Sequence, residues 1–404
     1  MSASRPARGL LILGGGEQQV AALKAARRLG LTAICADPNP NALGREIAHH
    51  FHAVDLGDVP ALKQIAVRHE IAGILTLAAD YPLEAAAIIG RELGLCGPTI
   101  DAVKITRDKS RLRECMSQHS VRAPHWQDFT SPADAESSDL LRSMTCIIKP
   151  TDSSGGRGVH YLTPSSTIEE IRRAIEVAFL HSKKARIVVE EYVEGKEYSV
   201  ESLTFGGVTH TVAITGKFTS GPPYFVETGH VVPAQISNAE AQEISDYVAN
   251  LVRLIGLDSC ATHTELKLTP DGPMLIELAA RLGGGYINTD LVPLATGVDM
   301  VCAVIDIALG LKPDLQPAAK KAAAMKFLIP SPGVLDSVTG LDSARSLAGM
   351  HRAVCDYQSG DRVGVVRDAT GRKCYIIGSA ENAQAAIALI DQAAAKIEFR
   401  YRDD

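Results

Sequence analysis

A chain of 404 residues exceeds what one hydrophobic core organises, so two or three domains are expected. With 46% hydrophobic and 22% charged residues the composition is that of an ordinary globular protein, and a formal charge of -6 argues against a nucleic-acid binder held by a broad basic face. No apolar run reaches the roughly 18 residues of a membrane-spanning helix, and Leu10–Leu13, which follows Arg5 and Arg8, is too short for a signal peptide, so a buried first strand in a cytoplasmic protein is expected.

The strand Leu10–Leu13 ends in Gly14-Gly15-Gly16, and Gln19–Leu29 then carries apolar residues at helical spacing. A second strand, Thr32–Cys35, stops at Asp37-Pro38-Asn39-Pro40. His49, His50 and His52 read as a solvated turn before the strand Phe51–Val54 rather than as a metal site. A helix Val59–His69, a strand Ile71–Leu77 and a helix Tyr81–Leu93 close the unit at Gly94. Strands separated by helices of this length favour a parallel α/β sheet, whose ligands gather at the carboxyl ends of strands, where Gly14–Gly16 sit. Gly14, Gly16 and Asp37 lie roughly where a nicotinamide-dependent oxidoreductase would place them. Gln19 occupies the third glycine position and breaks G-x-G-x-x-G.

Residues 101–119 are helix-rich, and Ser131–Ser138 reads as a surface loop. Strand and helix alternate again through Ile147–Lys149, Ile168–Phe179 and Ile187–Glu191. Val200–Thr204 and Thr209–Ile214 form a hairpin across Gly206-Gly207. Glu240–Ile255 is an amphipathic helix, and Thr262–Leu268 pairs with Met274–Leu278 around Pro270-Asp271-Gly272. A junction at 313–317 leads to short strands and an alanine-rich helix, Ala380–Lys396. None of the eight cysteines has C-x-x-C spacing, and Cys35, Cys146 and Cys260 lie in or beside apolar runs. Buried thiols in a reducing compartment are expected rather than disulfides or zinc.

Three elements carry chemistry. In the first, Lys149 ends an apolar strand and Thr151-Asp152-Ser153-Ser154-Gly155-Gly156-Arg157-Gly158 follows, a run of mostly small residues. Backbone N–H groups of such a loop can approach phosphate oxygens unobstructed, although no Walker A pattern is present. In the second, Glu190-Glu191-Tyr192-Val193 follows a strand; it can run along a nucleotide or be an exposed charged turn. In the third, Glu265 and Glu277 sit on adjacent strands of one hairpin among apolar neighbours. Carboxylates there are costly to bury unless paired or metal-bound, and hard oxygen ligands suit Mg²⁺. Arg281 and Gly283-Gly284-Gly285 follow, where an arginine can stabilise negative charge.

In order and spacing these elements resemble the ATP-grasp superfamily of carboxylate–amine ligases over nearly the whole chain, including Gly97-Pro98 through Arg107-Asp108-Lys109. The resemblance implies an α/β fold with an α+β central part. An N-terminal parallel-sheet domain (1–107) precedes a two-lobed ATP-grasp domain (108–318, small loop 151–158), and a C-terminal α/β subdomain (319–404) completes the catalytic lobe. It implies ATP bound by Lys109, Lys149, Ser153, Ser154, Gly155, Gly156, Gly158, Glu190, Tyr192, Val193 and Glu197. Mg²⁺, one ion or two with Mn²⁺ as a substitute, falls to Glu265 and Glu277. Arg281 is the implied catalytic residue. Many members carry Asn two residues after the second glutamate; here Ala279 stands in that place.

The pattern Glu277…Arg281 without that Asn is similar to bacterial L-amino acid ligases that form dipeptides, and Val226-Glu227-Thr228-Gly229-His230 strengthens the likeness. It implies an amino-acid pocket with Glu227 and His230. Gly284 and Gly285 would border the substrates, and Gly285 would leave the acceptor side roomy. Small-molecule carboxylate and amine substrates and a homodimer are implied, without nucleic acid or membrane. A purine-pathway or carbamoyl-phosphate-like enzyme acting on a ribonucleotide or bicarbonate, and a non-catalytic ATP-binding module, are the alternatives.

Overall fold

Leu10, Leu11, Ile12 and Leu13 are all fully buried, although alternate side chains of a strand point to opposite faces. Both faces must therefore be covered, which is the condition of a parallel sheet flanked by helices. The computed structural model describes residues 8–402; Arg5 of the opening segment lies outside them. Strand Gly9–Leu13 sits inside a parallel sheet of order His50–Ala53, Thr32–Asp37, Gly9–Leu13, Ile71–Leu75. Leu10 and Ile12 pack with helices Glu17–Arg28 and Met300–Ala308, while Leu11 and Leu13 pack with helices Val59–Arg68 and Leu83–Leu93. His50 and His52 belong to a strand rather than to a turn, and the Nε2 atoms of His52 and His69 lie 2.9 Å apart. Strand Ile71–Leu75 ends two residues earlier than expected, releasing a loop that reaches the segment after residue 279: Ala78 N–H donates to the Leu282 carbonyl at 3.2 Å.

A smaller antiparallel sheet follows, ordered Trp126–Phe129, Ile187–Glu191, Cys146–Pro150, His160–Leu162 and backed by helix Ile168–Leu180. Within the expected loop 131–138 lies a short helix, Pro132–Glu136, whose Ala135 is buried against this lobe's core. Proline at its first turn lacks only an N–H that would be unpaired anyway, so the helix starts there without penalty.

The large antiparallel sheet has eight strands, in the order Gly272–Ala279, Cys260–Thr269, Lys196–Phe205, Val208–Thr219, Glu227–Val232, Ala322–Phe327, Cys374–Ala380, Met350–Cys355. Both expected hairpins are present within it. Helix Asn238–Ile255 buries Ile244, Val248, Leu251, Val252 and Ile255; a Ser237–Glu240 capping box starts it and left-handed Gly256 ends it. The C-terminal strands Ala322–Phe327, Cys374–Ala380 and Met350–Cys355 continue this sheet, while Gly333–Thr339, Arg362–Val363 and Glu398–Tyr401 form a separate three-stranded one. The last long helix is Ala383–Ala394, because Ala380 ends a strand and Asn382 caps the helix. Cys355 and Cys374 face each other in register across neighbouring strands and form a disulfide, which corrects the expectation of free thiols; Cys35, Cys146 and Cys260 are free and buried. No single described helix is long and apolar enough to cross a membrane.

Candidate active site

Between the smaller sheet and the large one lies a cavity that opens to solvent. Its wall brings together Lys109, Lys149, Ser153 to Gly156, Glu190 to Val193, Glu197, Glu227, Glu265 and Glu277, residues drawn from widely separated stretches of sequence.

Lys149 is the penultimate residue of the strand Cys146–Pro150 and lies 2.6 Å from the Glu190 carboxylate, which also takes Arg113 Nε at 2.8 Å. Burial opposes both charges and pushes the Lys149 ammonium below its ordinary value. Against burial, Arg113 and Lys149 hold Glu190 down at about 2. The Glu190 side chain, which the sequence suggested for the nucleotide, lines the cavity while paired with Lys149 and Arg113. Lys109 Nζ reaches the Ser153 carbonyl at 2.7 Å and Glu277 Oε1 at 3.3 Å, tying the small loop to the acidic hairpin.

In the small loop Gly155 and Gly156 take positive φ, 67° and 78°. Gly158 does not line the cavity. A Cβ there would meet His181 and Pro150 at 2.9 Å, so this glycine is required for packing. Tyr192 stacks with Phe225 at 5.5 Å, and Lys267 lies 4.3 Å over the Tyr192 ring while donating to the Val193 carbonyl at 2.9 Å. This aromatic wall is a ready face for a flat base.

Glu265 and Glu277 are directly opposite in the hairpin register. Glu265 accepts from Lys217 at 2.9 Å and lies 3.3 Å from His263 Nε2, whose other nitrogen is 2.6 Å from Glu201. Burial alone would lower the His263 value; Glu201 above all raises it to about 10, so the ring is a cation. Among the described residues no group of three or more His, Cys, Asp or Glu forms a metal cluster. Two carboxylates with no third side-chain ligand still fit an ion that accepts one or two carboxylates and completes its shell with phosphates and water. Ala279 pairs with His263 in the register and offers no ligand.

Lys217 is a site residue the sequence reading missed. Its side chain is 3% exposed and lies 2.7 Å from Glu197, 2.9 Å from Glu265 and 3.1 Å from Glu227. Burial would lower its value, but the three carboxylates hold it well above the ordinary one. The available signal was phase: Lys217 follows buried Ala213 and Thr215 on the same face of its strand.

Glu227 faces the cavity with Lys217 and, at 2.5 Å, Arg372. Although burial would raise it, Lys217 and Arg372 hold it at about 2. His230 stands 3.7 Å away, behind the wall; burial pushes it down to about 4, so it is neutral. Arg281, Gly284 and Gly285 also lie outside the cavity wall. A Cβ on Gly285 would stand 3.4 Å from His230. Arg281 gives Nε and Nη2 to Asp80 at 2.7 and 2.9 Å and Nη1 to the Leu282 carbonyl at 3.2 Å. Asp80, on the loop after the N-terminal domain's fourth strand, was likewise unforeseen.

Residues 142–290 match the ATP-grasp domain family, and residues 326–402 match the L-amino acid ligase C-terminal domain 2. Alanine–anticapsin ligase of Bacillus subtilis (strain 168) is 26% identical over 235 residues, covering 53% of this chain and 49% of that protein. A formate-dependent phosphoribosylglycinamide formyltransferase of Paraburkholderia xenovorans (strain LB400) is 30% identical over 212 residues, covering 50% of each. The chain thus spans about half the length of these curated relatives. The L-amino acid ligase structure from Bacillus licheniformis superposes with a TM-score of 0.83 at 21% identity, covering 99% of this chain and 100% of that one, and shows a shared fold. Residues 142–290, whose strands border the cavity, thus match an ATP-grasp domain, and residues 326–402 match an L-amino acid ligase type of C-terminal domain.

Proposed function

We propose that the protein is an ATP-dependent ligase that activates the carboxylate of an amino acid as an acyl phosphate and couples it to an amine, giving an amide or dipeptide with ADP and phosphate. Lys109, Lys149 and the backbone of residues 153–156 cradle the phosphates, and the wall of Tyr192 and Phe225 takes the base. Glu265 and Glu277 would hold Mg²⁺, which when bound offsets charge on the phosphates. The substrate carboxylate attacks the γ-phosphorus, and the bond to ADP breaks. The amine then attacks the acyl carbon, phosphate leaves and the nitrogen gives up a proton. The small loop keeps water from the acyl phosphate. Arg281 has five N–H groups, of which three go to Asp80 and Leu282. The remainder serve the oxyanion that forms as the amine attacks.

Glu227 carries the amino-acid reading. It is an ionised carboxylate in the cavity wall, joined through Lys217 to Glu265. A substrate ammonium entering a closed site needs such a partner. Glu227→Ala should raise KM for the preferred amino acid strongly and leave KM for ATP near its wild-type value. If both constants stay unchanged, the superfamily assignment stands without the amino-acid reading, and a bicarbonate or ribonucleotide substrate becomes the better account.

A further inference from the structure

Arg372 comes from the C-terminal domain yet lines the nucleotide cavity. Its side chain is 11% exposed, its guanidinium lies 4.1 Å over the Phe327 ring, and its Nε donates to the Ala369 carbonyl at 3.4 Å. These contacts fix the plane of the fork, and Nη1 meets Glu227 at 2.5 Å. The turn preceding it touches the small loop: Ala369 N–H donates to the Gly155 carbonyl at 3.5 Å.

The charges around Glu227 decide what can bind there. Lys217 is shared among three carboxylates, so it keeps Glu197 and Glu265 whatever happens at Glu227. Arg372 is ion-paired with Glu227. A ligand ammonium that takes Glu227 leaves a nearly buried guanidinium seeking an anion. A simple amine satisfies Glu227 and strands Arg372; a simple carboxylate or bicarbonate does the reverse. An α-amino acid brings both charges, separated by a single carbon, and can replace the internal pair group for group. Its carboxylate would meet a planar fork whose geometry matches it.

We infer that Arg372 receives the reacting carboxylate of the donor amino acid while Glu227 receives its ammonium. This assignment rests on the amino-acid reading of the site. In the step that follows, a carboxylate oxygen bonds to the γ-phosphorus as the bond to ADP breaks. The guanidinium then lies beside the oxygens on which negative charge is redistributed. Because the turn 368–371 abuts Gly155 and Gly156, the same element that binds the donor meets the loop covering the phosphates.

The test traps the acyl phosphate without an acceptor. Wild type, Arg372→Gln and Arg372→Lys are incubated with MgATP, hydroxylamine and each amino acid, and the hydroxamate is measured. Arg372→Gln should raise KM for the donor and lower the hydroxamate rate by on the order of 10²-fold, with KM for ATP near wild type. Arg372→Lys should recover part of the rate, having the charge without the fork. Inhibition by the decarboxylated amine of the same donor should be no weaker in Arg372→Gln, since that amine lacks the group Arg372 binds. Wild-type donor KM and rate in Arg372→Gln, or equal weakening of donor and amine, would overturn the assignment alone. A wild-type enzyme that forms hydroxamate from no amino acid would overturn the amino-acid reading as well.

Discussion

Replacing Glu190 by Gln tests whether this residue positions cations or touches the nucleotide. Its carboxylate is 4% exposed and lies between Arg113, 1% exposed, and Lys149, 8% exposed. Gln keeps the shape and removes the charge, leaving two buried cations side by side. Removing one partner of a buried ion pair costs roughly 3–5 kcal/mol. Lys149 relieves part of this by losing its proton, so the lower end, about 3 kcal/mol, is expected. At roughly 2–4 °C per kcal/mol for a unit of this size, Tm should fall by about 6–12 °C. The pH dependence has a definite sign. In the wild type Glu190 sits at about 2, so its stabilisation is complete above the ordinary carboxylate value of 4.5 and is lost as pH falls through 2. In the variant Lys149, already below its ordinary value, falls further. A depressed amine binds fewer protons when folded than when unfolded, so the deficit shrinks as pH rises. Thermal unfolding near neutral pH and at about pH 9, with KM for ATP alongside, checks both points. An unchanged Tm with a raised KM for ATP would refute the reasoning and make Glu190 a direct nucleotide contact.

Lys217→Met should destabilise the fold by about 3 kcal/mol or more, because Glu197, Glu227 and Glu265 lose their shared cation; denaturant titration would expose an error as wild-type stability. Glu277→Gln should cut turnover by at least about 10²-fold while Tm without nucleotide holds steady, and near-normal activity would remove the metal assignment. Protease cleavage near Arg157 should slow when ATP and Mg²⁺ are added, since the loop 153–158 orders over the phosphates. Equal rates with and without nucleotide would count against a phosphate lid.

What could be read from the sequence was periodic or local. The N-terminal unit announced itself through apolar strands spaced by amphipathic helices, and the acidic hairpin through Glu265 and Glu277 around a Pro-Asp-Gly turn. Long-range pairings were not legible. Nothing near Asp80 says that it meets Arg281, 201 positions away, nor does Arg372 carry any mark of Glu227, 145 positions away. Glu190 shows the same limit in another form: its place in the strand was visible, but its partner Arg113 lies far off in sequence, on the helix Lys109–Gln118. Cys355 and Cys374 stand 19 positions apart, a spacing that only the strand register turns into a contact.

The central claim is that the cavity joins an amino acid to an amine at the expense of ATP. Its most direct test is to supply the purified protein with MgATP and pairs of amino acids, measure phosphate release, and determine product masses. The account predicts release that depends on a particular donor, with ADP, phosphate and a product lighter by one water than the two substrates formed in equal amounts. Phosphate release that ignores every amino acid but responds to bicarbonate or a ribonucleotide, or ATP binding with no turnover in any mixture, would contradict it.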